Sequence, residues 1–126
     1  MGDIPWQETA ELGSQIFKKP NLTEKLLNKP PFRFLHDIFT AVMGATGFAQ
    51  GLYNEQELDS KAITDKAGKV DFLSKMIALT ELIVGEKMDV NPNKIVAGAE
   101  ADKTNVFLQY LFRASMQGID TTPAVR

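Results

Sequence analysis

The adjacent prolines Pro30 and Pro31, followed at once by Phe32-Arg33-Phe34-Leu35-His36-Asp37-Ile38-Phe39, constrain this chain more than any other stretch. Proline has a fixed φ and no N–H, so it breaks a helix interior but suits the first turn, where the missing donor has no partner anyway. The pair therefore predicts a helix start. Apolar residues then fall at Phe32, Leu35, Phe39, Val42 and Met43, and Phe34 and Ile38 add a second stripe. A helix apolar on most of its circumference is surrounded by other helices, so residues 32–44 read as the central, largely buried element of an all-helical domain.

The rest of the chain supplies the surrounding helices. Trp6, Ala10, Leu12, Gly13, Ile16 and Phe17 form a first helical pattern that ends at Lys18-Lys19-Pro20. Thr23 is an N-cap for a short helix, Glu24 to Asn28, with Leu26 and Leu27 inward. Gly44 to Gly51 supplies a packed loop anchored by Phe48, and residues 55–66 read as a weakly helical surface connection. Val70, Phe72, Leu73, Met76, Ile77, Leu79, Leu82, Ile83 and Val84 make a second core helix capped by Gly85. Pro92 opens a short helical turn through Ile95 and Val96 to Gly98. From Ala101 or Thr104, a last apolar helix carries Val106, Phe107, Leu108, Tyr110, Leu111, Phe112 and Met116 and closes at Gly118. Met43, Met76, Met88 and Met116 read as core filler. The expectation is four main helices plus short connecting ones, in a single domain over residues 1–126.

Composition closes several alternatives. A chain 44% hydrophobic and 24% charged, with a formal charge of -2, lies inside the globular range. No apolar run approaches eighteen residues, so membrane insertion is not expected. The start, Met1-Gly2-Asp3-Ile4-Pro5-Trp6, has neither a basic flank nor an apolar core, and the chain reads as cytoplasmic. With no cysteine, disulfides, thiolate metal sites and cysteine nucleophiles are excluded.

Catalytic signals are thin. His36 is the sole histidine, and its neighbour Asp37 points about 100° away on a helix, so the two do not face each other. It reads as a partly buried histidine, either bonded to a backbone carbonyl or held at the rim of the core. Gly68-Lys69 lacks the flanking residues of a phosphate-binding loop, and Gly44, Gly47 and Gly51 do not match a dinucleotide fingerprint. Glu55 with Glu57, and Glu100 with Asp102, read as solvated pairs in exposed connections. No catalytic residue, metal site or cofactor is expected.

Charge is more informative. Lys18, Lys19, Lys25, Lys29 and Arg33 face a single acid, Glu24, within residues 18–33 of a chain that is acidic overall. Lys25 and Lys29 are four apart and should share a face of the short helix. Such a patch suits an acidic partner. Nucleic acid is disfavoured, because arginines are few, exposed aromatics are not interleaved and the pI is near 5.4. Exposed pairs contribute roughly 0.2–1 kcal/mol each, so five cations support weak, salt-sensitive association.

The run Pro20-Asn21-Leu22-Thr23-Glu24-Lys25-Leu26-Leu27-Asn28-Lys29-Pro30-Pro31-Phe32-Arg33-Phe34-Leu35-His36-Asp37-Ile38 closely resembles the signature of the microtubule-interacting, TRAF-associated subunit 54 family of the intraflagellar transport B complex. The likeness continues in Thr46-Gly47-Phe48, Gly51-Leu52-Tyr53, Lys94-Ile95-Val96-Ala97-Gly98 and Lys103-Thr104-Asn105. It implies the family's N-terminal calponin-homology-like domain and a function in binding tubulin or microtubules, whose acidic tails a basic surface would recognise. Carried onto the matching stretch, Lys25, Lys29 and Arg33 are the site candidates, and charge clustering adds Lys18 and Lys19. The resemblance also implies work in the cilium or flagellum, at the basal body and on the cytoskeleton. The family's basic middle region and coiled coil, through which other transport subunits are contacted, are not in this sequence, which therefore reads as a fragment. Ala99-Glu100-Ala101-Asp102 departs from the family pattern in being more apolar. Two other readings stand beside this one: a scaffold that docks a transport-complex neighbour through an apolar groove, and actin binding.

Overall fold

Helix starts and stops fall where local chemistry places them. The computed structural model describes residues 6–19, 21–49 and 52–117. Its elements are α1 (Trp6–Ser14), α2 (Glu24–Asn28), α3 (Phe32–Thr46), a 3-10 turn (Ser60–Ala62), α4 (Lys66–Val84), α5 (Pro92–Val96) and α6 (Ala101–Met116), with no strand among the described residues. The Thr23 hydroxyl accepts from the Leu26 N–H and starts α2. Asp65 does the same for α4 through the Gly68 N–H, so α4 begins a full turn before the apolar run at Val70. Gly47 and Gly85, at φ 76° and 79°, close α3 and α4 in the left-handed conformation that a side chain resists. α3 thus runs past Gly44 to Thr46, and Gly44 lies inside it.

Phe34, Leu35, His36, Ile38, Phe39 and Val42 bury α3 as its apolar width predicts. The element that meets the most others is α6, however, which packs on α1, α2, α3 and α4. Phe107, Leu108, Leu111 and Phe112 fill its inner face, each at most 1% exposed. Between α3 and α4 the core is aromatic. Phe72 stacks on Tyr53 (4.1 Å), His36 (4.7 Å) and Phe39 (5.7 Å) and meets Phe32 edge-on at 5.5 Å. The Tyr53 hydroxyl donates to the Phe72 carbonyl at 2.7 Å. Its pKa is pushed above the ordinary tyrosine value, first by burial and then by the nearby Glu57 and Asp71 charges.

Several sequence expectations are corrected. The first helix stops at Ser14; Gln15 to Phe17 turn instead, with the Ile16 and Phe17 N–H groups both donating to the Gly13 carbonyl. Leu82 is 63% exposed, Val106 43% and Met116 40%, so these apolar residues face outward and Met116 fills no core. Position in a helical pattern counted them inside, but among the described residues no neighbouring helix covers those faces. The Gly118 closure of α6 lies outside the described residues. Among the described residues, no helix is long and apolar enough to cross a membrane.

Candidate functional site

His36 and one acid of each pair, Glu57 and Glu100, serve the fold, while Glu55 and Asp102 are exposed as expected. His36 Nε2 lies 2.8 Å from the Glu57 carbonyl, the first of the two placements expected of it, and the residue is 3% exposed. Glu57 is not a solvated acid: its side chain is 16% exposed and accepts from the Lys75 ammonium at 2.5 Å. Burial by itself raises the Glu57 carboxyl, but hydrogen bonds from Lys75 and from the Asn54 N–H, with the Lys75 charge, outweigh it and hold the pKa below the usual range. Glu100 bonds Lys103 at 3.2 Å and Asp89 reaches the same ammonium at 3.3 Å, and both bonds raise the Lys103 pKa.

The basic segment is built on well-anchored backbone. Phe17 packs edge-on against Phe112 at 5.8 Å, and a Cβ at Gly13 would overlap Leu22 and press on Phe112, so α1 and the turn after it sit hard against α6. From that turn Lys18 and Lys19 project as exposed residues. Lys18 borders a shallow concavity with Ala10, Ser14, Phe17, Asn21 and Leu22; Lys19 borders another with Asp37, Thr40 and Ala41 of α3. α2 is fixed by Leu27, which is fully buried, and by the Asn105 side chain of α6, whose Nδ2 donates to the Leu27 carbonyl at 2.8 Å. Asn105 also donates to Ala101, while its Oδ1 is buried without a partner.

Lys25 sits in α2, but Lys29 does not share a helical face with it. Lys29 is the C-cap, at φ -151° and ψ 75°, because the following prolines end the helix there. Its aliphatic stem lies instead against Gly98, in the turn between α5 and α6. Arg33, the second residue of α3, is exposed and one turn before Asp37, which places it on the outward stripe that Lys19 flanks. Lys19 and Arg33 thus belong to the α3 face, Lys29 to the α5–α6 turn, Lys25 to outer α2 and Lys18 to the end of α1. All five are exposed, and none forms an ion pair among the described residues.

Two cations near this segment escaped the sequence reading because they are remote along the chain. Lys69 of α4 lies 5.8 Å from the centre of the Phe32 ring, next to Arg33. Lys94 of α5 has its carbonyl bonded to the Ala99 N–H, beside the glycine that carries Lys29. On another flank, a concavity of ≈ 450 Å³ lies between residues 86–90 and α6, with Val90, Val106, Phe107 and Tyr110 in its wall. No group of three or more metal-ligating side chains occurs among the described residues.

Comparison with known proteins agrees with this architecture. The chain is 45% identical over 126 residues to TRAF3-interacting protein 1 of Danio rerio, covering 100% of this chain and 20% of that protein. It is 42% identical over 120 residues to the proteins of the same name from Mus musculus and Rattus norvegicus, covering 95% of this chain and 19% and 18% of theirs. The chain therefore spans about a fifth of the length of these relatives. A family model described as the microtubule-binding protein MIP-T3 CH-like domain matches residues 5–117, and the chain belongs to that family.

Proposed function

We propose that this calponin-homology-like domain binds tubulin or microtubules directly, through a basic surface comprising Lys18, Lys19, Lys25, Lys29 and Arg33, and has no catalytic role. One observation carries the mechanism: these five exposed cations lack intramolecular carboxylate partners among the described residues, so their charge is available to an acidic protein. The family description makes the microtubule the first partner to test. By the likeness of the signature stretch, the work is done within an intraflagellar transport particle, at the cilium and basal body, with other subunits bound by regions outside this sequence.

Co-sedimentation with microtubules tests the reading. Lys25→Glu combined with Lys29→Glu is expected to abolish pelleting while the helical circular-dichroism melt stays unchanged, and wild-type pelleting should fade as salt rises. Pelleting that survives the double reversal removes the basic surface from the argument. The apolar floor of the ≈ 450 Å³ concavity beside Tyr110, whose wall also carries Glu86, Asp89, Asp102 and Lys103, favours a second reading, a scaffold docked by an apolar contact. Binding that persists in high salt supports it, and sedimentation with actin filaments alone would point to the third.

A further inference from the structure

We infer that the turn between α5 and α6 belongs to the binding surface: Lys94 contributes a second cation beside Lys29, and Gly98 is the positioning residue that seats the Lys29 side chain. This rests on the function proposed above and extends it to residues far along the chain. Three observations converge. A methyl group at Gly98 would come within 2.9 Å of Lys29 Cε, 3.6 Å of Cγ and 3.8 Å of Cδ, so the stem runs along the bare glycine. Gly98 holds φ 78°, and its N–H and that of Ala99 close α5 onto the Ile95 and Lys94 carbonyls at 3.0 and 2.9 Å. The Lys94 backbone is thereby pinned next to the surface on which Lys29 rests.

The base of Lys29 is fixed as well, through buried Leu27 and the Asn105 bond. A lysine stem laid on a fixed surface loses less freedom when its ammonium is bound than one waving in solvent. Neither Lys29 nor Lys94 is ion-paired among the described residues; the nearby Glu100 is engaged by Lys103. Lys29, whose stem crosses Gly98, and Lys94, whose carbonyl closes the same turn, are two unpaired cations that suit a partner segment carrying closely spaced carboxylates. A polar rim with one charge would not require that density.

Binding of a fluorescent poly-glutamate peptide, alongside microtubule co-sedimentation, tests this. Lys94→Glu is expected to weaken both by about three- to tenfold, as Lys29→Glu does, while the exposed controls Lys61→Glu and Lys66→Glu change them less than about twofold. Gly98→Asn, which tolerates a left-handed φ but adds a Cβ, should weaken binding in the wild-type background and have no further effect once Lys29 is alanine. Circular-dichroism melts report whether each variant is folded. Lys94→Glu behaving like the two controls, while Lys29→Glu weakens binding as expected, overturns the inference and leaves the proposed function standing. Wild-type protein that does not pellet with microtubules overturns the proposed function instead.

Discussion

Lys75, Lys103 and Arg113 each end on a carboxylate of the same chain, Glu57, Asp89 with Glu100, and Glu8 respectively. Lys18, Lys19, Lys25, Lys29 and Arg33, around α2 and the start of α3, have no such partner among the described residues. The first set ties elements together: Lys75 joins α4 to the connection before it, Lys103 joins α6 to the residues after α4, and Arg113 joins α6 to α1. The second set rides on backbone secured by buried Leu27, Leu35 and Phe112, with the Lys29 stem laid along Gly98. Cations that hold a fold are neutralised inside it; those left unneutralised over a rigid base are suited to external acids.

The contrast can be broken in stages. Phe72→Ala has the largest expected effect, a loss of about 3–5 kcal/mol by denaturant melt, because it empties the centre of four ring contacts. A loss well short of that would mean that Tyr53 and Phe39 close over the gap. Asn105→Leu tests the base of the basic segment. It leaves the Leu27 and Ala101 carbonyls without this donor and should cost about 1–3 kcal/mol, with amide exchange quickening first in α2. Uniform exchange across all helices would show that α2 does not depend on this tether.

Glu57→Gln should have the smallest effect. The Glu57 carboxyl is held below its unfolded pKa, so the folded state binds fewer protons and the contribution is present above about pH 5, disappearing as pH falls through the folded value. With the Lys75 side chain 37% exposed, solvent screening limits the contribution to at most about 1 kcal/mol. The variant should melt slightly below wild type at neutral pH, and the two curves should converge as pH falls below the folded Glu57 pKa. Curves that stay apart in acid would assign the loss to packing. Microtubule pelleting should be untouched throughout, which separates the fold-holding set of charges from the open one.

Much of this was legible along the chain because it depends on neighbours. Thr23 starts a helix, Gly85 stops one and Pro92 opens α5, each by chemistry within a turn of itself. The equally local caps Asp65 and Gly47 went unread, which set the expected start of α4 at Val70 and the expected end of α3 at Gly44. The width of the apolar stripe on α3 was enough to bury it. Burial on α4 and α6 was less legible: Leu82, Val106 and Met116 share a pattern with core residues, and only the positions of other helices leave them exposed.

By itself the sequence determined the helical class, the capped ends, the family signature and a concentration of positive charge between residues 18 and 33. Tertiary structure decided how that charge is displayed. It carried Lys29 off the α2 face onto Gly98, tied the Lys94 carbonyl into the same turn, set Lys19 against α3 and gave Glu57 to Lys75. The physical reason is range: caps and turns act between residues a few positions apart, whereas the surroundings of a side-chain charge depend on which distant backbone it rests against.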